Sequence, residues 1–555
     1  MKKYLYLFIV VTLMAISVAT PQFSFSETTA PTTPTAPDAL PMHIGFPRTE
    51  PYGSFFSSPT PIDLYNNRSM VTITADSTGC VWGFDRNGDL AAGFPWKTGD
   101  VCDNEPRING PLAFGDLDGD GKIEIVAGTR GSGTGNGQRG KVFVWNRWGV
   151  LLPGWPKEMA WANITNGNFP EVMSVGIADI AGDSKLEIIA ATSNEAGSDT
   201  NNAPNLYAWY ANGSSVSGYP TSSNKGSGIF GLLGIADLDK DGKSEVLVGR
   251  DEIYFYAYNG EGQNMNGWPL HTFVDVTQTI WGTHDFLEFT RSAPAVGDLD
   301  GDGKIEIVTA GKIRSPSSLP TPYMQTSSGV IVSDVAGNRR TGWTAARKVG
   351  PPRQVAFTPN NQVALADLDR NGKLDIVVTF DDGTIRAFRE DGSTMWTYDY
   401  AQGQALFASE VAIGDVSGDG LVDIVFGTYS VDQSANNAVR LHGLNASGQP
   451  LAQFPLALPN ENSSSSSKGI MAGPTIADID GNCQVEILAH SRGGVLYAWD
   501  TKGLNLAKTL PWPMSRHDPA RSGTVPLPVT PAVVPPNPAL TNKVYLPLVR
   551  AGCGS

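Results

Sequence analysis

The chain has 555 residues, a formal net charge of −15, four cysteines, and 62 glycines and 39 prolines against only 17% charged residues. Phosphate contacts need clustered Lys and Arg, so this balance excludes a nucleic-acid partner. Abundant turn formers and a sizeable apolar fraction exclude a long-helix architecture and point to short strands, an all-β class.

In chain order, Met1-Lys2-Lys3 and the apolar run from Tyr4 to Ala19 come first. The run is too short and too sharply ended for a membrane span, so residues 1–26 read as a secretory signal peptide, with a secreted or cell-surface product and no transmembrane segment in the mature chain. Residues 27–40 form a Pro/Thr-rich linker that has no means of building a core. A repetitive region follows over 41–523, and 524–555 is a Pro-rich C-terminal tail containing the apolar patch Val544 to Val549 but no Leu-Pro-x-Thr-Gly sorting signal.

Within the repetitive region an acidic loop opens at Asp116, Asp179, Asp237, Asp298, Asp367, Asp415 and Asp478, in steps of 48 to 69 residues. Each loop follows one short strand-like run and precedes two or three more, as in Gly231 to Ala236, Glu245 to Gly249 and Ile253 to Tyr258. Four short strands joined by turns make one antiparallel sheet. An eighth, degenerate copy comes first, with Asp63 at the loop position and strands at Met70 to Thr74 and Cys80 to Phe84. A Gly-aromatic-Pro signature closes units at Gly93-Phe-Pro95, Gly154-Trp-Pro156, Gly218-Tyr-Pro220 and Gly267-Trp-Pro269. It also precedes the first unit at Gly45-Phe-Pro47, so this leading fragment is a candidate outer strand for closing a ring.

In all seven intact copies the residue before the first Asp is Gly or Ala, which suits a strand crowded against a central axis. The expected fold is a β-propeller of about eight four-stranded blades, with seven blades plus an extra sheet as the alternative; an open solenoid would leave more edges exposed. Cys80 and Cys102, within one repeat, are placed to pair in an oxidising compartment, whereas no physical case joins Cys483 to Cys553.

The acidic loops carry the chemistry. In Asp116-Leu-Asp118-Gly-Asp120-Gly121-Lys122-Ile-Glu124 the carboxylates stand at positions one, three, five and nine, with a turn-permitting Gly at six. Alternate spacing aims hard oxygen ligands inward, which suits Ca2+ rather than Zn2+. The pattern repeats at Asp237, Asp239, Asp241 and Glu245 and at Asp298, Asp300, Asp302 and Glu306, and these three loops are the strongest candidates. Weaker sets are Asp179, Asp183 and Glu187; Asp367, Asp369, Asn371 and Asp375; Asp415, Asp419 and Asp423; and Asp478, Asp480, Asn482 and Glu486. An EF-hand or dockerin reading fails downstream, because Ala127 and Thr309 occupy the place of the bidentate Glu at position twelve, within β-branched runs.

Over about Phe55 to Gly523 these repeats resemble the FG-GAP or VCBS type found in the integrin α-subunit propeller, whose calcium loop Asp-h-Asp-x-Asp-Gly-h-x-Asp matches the three best copies with Glu replacing the final Asp. The resemblance implies ions that stiffen the blades without taking part in catalysis. The stretch Trp512-Pro-Met-Ser-Arg-His517-Asp-Pro-Ala-Arg521 resembles the closing segment of bacterial propellers of this sort. Such a fold is a platform, so function rests on the loops. The expectation is a non-catalytic binding or adhesion scaffold for a polysaccharide or extracellular protein. The alternative is a polysaccharide-degrading enzyme resembling the propeller-type rhamnogalacturonan lyases, with His284 and Arg291, in the aromatic-rich stretch from His271 to Arg291, as its guessed pair.

Overall fold

A computed structural model describes residues 39–100, 102, 106–131, 139–160, 171–193, 204–221, 229, 231–249, 254–275, 277–278, 283–289, 293–316, 324–343, 347–349, 362–430, 433–461 and 468–526. The expected signal peptide, all but the end of the linker and all but the start of the C-terminal tail lie outside them. Helix among the described residues is confined to two short 3-10 turns, Gln433–Ala438 and Ala507–Thr509. None is long and apolar enough to cross a membrane.

The strands assemble into eight antiparallel sheets in sequence order. The first holds Thr60–Ile62, Val71–Ala75, Cys80–Phe84 and Trp96–Lys97, and the second Ala113–Gly115, Glu124–Gly128, Lys141–Trp145 and Lys157–Glu158. The inner strands of the remaining six are Val172–Ala178, Gly234–Ala236, Ala295–Gly297, Gln362–Ala366, Leu406–Gly414 and Thr475–Ala477. Strands with both faces buried read as continuous apolar runs, as in Glu245–Gly249, because each sheet is covered on both sides by its neighbours.

The apolar clusters trace the order of packing. Ile73 and Val81 of the first sheet share a core with Ile125 and Phe143 of the second; Val144 of the second joins Ile188 of the third. The series continues to the eighth sheet, whose Leu488 and Ala498 pack with Phe84 of the first. The sequence of sheets is therefore closed on itself, the arrangement of a β-propeller. Aromatic side chains add a polar tie between neighbours. Trp155, Trp268, Trp343 and Trp396 each donate the indole N–H to a carbonyl in a hairpin turn of the following sheet, at Ala211, Val335, Glu390 and Ala446.

Both ends of the described chain lock this closure. The leading fragment lies along the outer edge of the eighth sheet's strand Leu496–Leu504, with Met42 opposite Trp499 and Arg48 opposite Leu496. His43 spans the seam, its Nδ1 2.5 Å from Asp500 Oδ1 and its Nε2 2.9 Å from the carbonyl of Arg86 in the first sheet's hairpin. The fragment that precedes the repeats thus supplies the missing fourth strand of the last one, as expected. Cys80 and Cys102 are disulfide-bonded with a Cα separation of 5.6 Å. Cys483 is also disulfide-bonded, while Cys553 lies outside the described residues.

At the axis the eight inner strands crowd together. A Cβ added to Gly414 would stand 2.7 Å from Leu510 Cδ2 and 3.2 Å from Ile476 Cδ1, which explains the small residue before each loop. The space left is filled by residues 509–525. Backbone N–H groups of the inner strands donate to this segment in turn: Asp415 to Thr509, Ile413 to Trp512, Ile476 to Pro513, Phe114 to Pro519, Ile177 to Ala520, Ile235 to Ser522 and Val296 to Gly523, at 2.7 to 3.0 Å.

Two fully buried guanidinium groups extend these ties. Arg516 donates to the carbonyls of Leu233 and Pro294, and Arg521 to those of Leu112 and Ser515 and to Thr60 Oγ1, with buried Glu410 and Asp518 providing the compensating charges. Removing this segment strips acceptors from seven buried donors at once, each costing on the order of 1–3 kcal/mol. A chain ending at Lys508 is therefore expected to lose its single cooperative melting transition in calorimetry, whereas one ending at Pro526 retains it.

Candidate metal loops

Each acidic loop joins an inner strand to the next strand outward, and its first carboxylate builds the turn. Asp116 accepts the N–H of Gly119 and Gly121 at 2.8 and 3.0 Å, Asp298 those of Gly301 and Gly303 at 2.8 Å, and Asp415 those of Gly418 and Gly420 at 2.6 and 2.9 Å. The last carboxylate folds back to accept the N–H of the second loop residue: Glu124 from Leu117, Glu187 from Ile180, Glu245 from Leu238, Glu306 from Leu299, Asp375 from Leu368, Asp423 from Val416 and Glu486 from Ile479, at 2.7 to 3.0 Å. Positions four and six are both left-handed, so the requirement read from the sequence at position six extends to position four. Lys240 and Arg370 meet it there without being glycine, as Ser184 and Cys483 do at six.

The degenerate first copy separates the turn from the metal. Asp63 accepts the N–H of Asn67 and Arg68 at 2.9 Å, and Asn66 and Arg68 are left-handed, so the same loop forms although Val71 stands at position nine. Position one therefore shapes the loop, and the remaining acids distinguish the loops that can hold an ion.

Neighbouring loops touch one another along one face. Asn66 donates to the carbonyl of Gly121, Lys240 Nζ to that of Gly303 at 2.6 Å, and Arg370 to that of Gly420.

Ligand atoms of Asp116, Asp118 and Glu124 lie within 4.8 Å of one another, as do those of Asp179, Asp183 and Glu187, of Asp237, Asp239 and Asp241, and of Asp298, Asp300 and Asp302. Asp120 turns aside to pair with Lys122. Three loops hold a buried carboxylate oxygen with no hydrogen-bond donor: Glu187 Oε1, Asp237 Oδ1 and Asp375 Oδ1. A hard cation among these oxygens would supply the missing partner, so the residues fit Ca2+.

Two neighbours alter this picture in ways the sequence did not reveal. Arg340, from the hairpin turn of the fifth sheet, reaches Asp300 and places Nη1 2.7 Å from Glu306 Oε1. A guanidinium already compensates that loop, so its apparently complete ligand set is electrostatically poorer for a cation than those at Asp116 and Asp237. Arg389 sits 3.2 Å from Asp369 with the same consequence in the weaker loop.

Burial, reinforced by the other loop carboxylates, pushes Glu124 and Glu245 up to about 8, Glu187 to about 7 and Glu486 to about 9. Burial likewise raises Asp375 to about 7 and Asp423 to about 6. Their backbone hydrogen bonds oppose the shift without cancelling it. With no cation present the folded chain then retains protons that the unfolded chain has lost, so stability falls as pH rises from the ordinary carboxylate range toward 8.

The aromatic-rich stretch after His271 is largely structural. Phe286–Glu288 pairs with Lys312 to Arg314, Phe273, Phe286 and Phe289 are buried, and His284 stands edge-on to Phe273. Trp281 and Arg291 lie outside the described residues.

In EDTA the melting temperature is expected to fall between pH 5 and pH 8, and Ca2+ at pH 8 to restore it, as preferential binding to the folded state requires. A flat EDTA profile would mean that the loop carboxylates do not titrate as described. Asp239→Ala should weaken calcium binding while changing metal-free stability by less than about 0.5 kcal/mol, because the side chain is exposed. Asp237→Ala, which removes the turn's acceptor, should cost about 1–3 kcal/mol even without metal; calcium titration and denaturant unfolding of both variants check the pair.

Residues 237–309 and 367–426 match the FG-GAP-like repeat. No curated protein matches the sequence. Similar solved structures include Sqt1 of Saccharomyces cerevisiae, at 8% identity over 83% of this chain and 99% of that one with a TM-score of 0.49. BamB from Moraxella catarrhalis is 16% identical over 80% and 99% with a TM-score of 0.45, and the rhamnogalacturonan lyase YesW 12% identical over 85% and 94% with a TM-score of 0.33. At these scores the likenesses say nothing about activity. The chain carries FG-GAP-like repeats within an all-β propeller.

Proposed function

We propose that this protein is a secreted or cell-surface, calcium-stabilised propeller that binds a polysaccharide or an extracellular protein through its loop face without transforming it. The observation that carries the reading is the junction of acidic loops on one face of a ring whose axis is filled. Residues 509–525 occupy the place where a central channel would otherwise accept a ligand, so recognition falls to the loops. Calcium in those loops would rigidify that face, reducing the ordering cost of binding.

A carbohydrate is favoured among the two ligand classes by an aromatic platform in the same region. Trp148, 60% exposed, stacks on Tyr65 with ring centroids 5.2 Å apart, joining the turn of the second sheet to the loop of the first. An exposed aromatic face suits the C–H face of a sugar ring.

Incubation of the calcium-loaded protein with plant and bacterial polysaccharides should give retention on at least one polymer and no rise in the absorbance of unsaturated products. A rise would establish a lyase in place of the scaffold. Loss of retention in Trp148→Ala would place the contact on the aromatic platform.

A further inference from the structure

Between the third and fourth sheets, at their loop ends, lies a cavity of about 370 Å3 closed on its inner side by the axial segment. Its volume is that of a small-ligand site and suits one or two sugar rings rather than a polymer lying flat. Ile177, Leu186 and Ile235 give it an apolar wall, and His517 and Asp518 line it from the axial segment.

His517 is only 6% exposed, and its ring is fixed on two sides. Trp512 stands edge-on at 5.2 Å, and Nδ1 lies 3.3 Å from Asp518 Oδ2. Asp518 is itself held by the backbone N–H and the hydroxyl of Ser522. Despite the opposing effect of burial, the bonds from His517 and Ser522 hold the Asp518 carboxyl below its ordinary range.

A carboxylate oxygen can only accept, so Nδ1 carries the hydrogen and Nε2 is the ring nitrogen left for a ligand. Among the described residues Nε2 has no hydrogen-bond partner. His517 lines a cavity with room for a hydrogen-bonding partner.

We propose that the cavity binds one neutral, hydroxyl-bearing ring, the terminal unit of a glycan, with His517 Nε2 hydrogen-bonded to a ring hydroxyl and the Ile177, Leu186 and Ile235 wall packing against its C–H face. This assignment rests on the binding reading above and narrows it to neutral sugars. Asp518, held ionised by His517 and Ser522, lines the same wall, so a uronate would meet like charge.

The test uses the calcium-loaded protein labelled with 15N-histidine, with the methyl glycosides of glucose, galactose and mannose as probes and galacturonic acid as the charged control. A neutral glycoside should shift the His517 Nε2 resonance saturably, and His517→Phe should weaken binding at least about tenfold, the loss of one desolvated hydrogen bond. Because His517 belongs to the segment that fills the axis, Ser244→Trp at the cavity wall provides a second variant that leaves that segment intact, with the same loss expected.

The proposal is overturned if no neutral glycoside moves the His517 signal, if galacturonic acid is the better ligand, or if Ser244→Trp binds as the parent does. Pro526 is part of the wall, so a chain ending there is measured alongside. Glycoside binding by that chain alone would identify the following residues as the occupant and overturn the proposal. Polymer retention that persists in both variants would sink the cavity assignment and leave the scaffold reading standing; absence of retention in the parent would sink the scaffold reading.

Discussion

Eight inner strands converging on one axis create a problem of hydrogen bonding before they create one of packing. Their outward edges are paired within each sheet, but their inward edges carry backbone N–H groups in a space too narrow for bulk water. An unpaired buried donor is among the costliest features a fold can retain. The axial segment resolves this by offering its carbonyls to one sheet after another. Arg516 and Arg521 reach carbonyls that the backbone of the segment cannot, and Glu410 and Asp518 balance them. Buried charges are tolerated only with opposite charges and acceptors close by, so the cluster ties ring closure to the axial segment.

The loops on the perimeter of that axis follow a separate logic. One acceptor at position one suffices to shape the turn, as Asp63 demonstrates without a metal-binding set behind it. Additional acids then concentrate negative charge where burial has already made it unfavourable, and the raised carboxylates are the measure of that tension. A divalent cation would relieve it in some loops, and Arg340 does so in another by direct pairing. Identical ligand spacing therefore yields sites of different electrostatic character, decided by which side chain the next turn brings into range.

These two constraints together direct function outward. A filled axis and a ring tied between neighbouring sheets by indole donors leave the loop face as the surface where rigid elements present varied side chains. The exposed Trp148 and the cavity beside His517 differ in character, one an open aromatic face and the other a recess lined by an imidazole, yet both lie where loops of adjacent sheets meet.

Much of this was legible in the residues themselves. Short apolar runs, turn glycines and the repeated Asp spacing are local signals, so they fixed the strands, the unit boundaries and the loop carboxylates, and the Gly45-Phe-Pro47 fragment marked the outer strand of the last sheet before any pairing was visible. The small residue before each loop likewise announced the crowded axis. What the sequence left undecided depends on contacts between residues that only tertiary packing brings together. Arg340 over the fifth sheet's loop, Thr60 beneath Arg521, and His517 facing a cavity between the third and fourth sheets are separated along the chain by tens to hundreds of residues. No periodicity encodes such pairs, because their geometry is set by how the sheets pack; the sequence alone settled the repeating unit, and tertiary packing decided which charges neutralise one another and which imidazole lines a cavity.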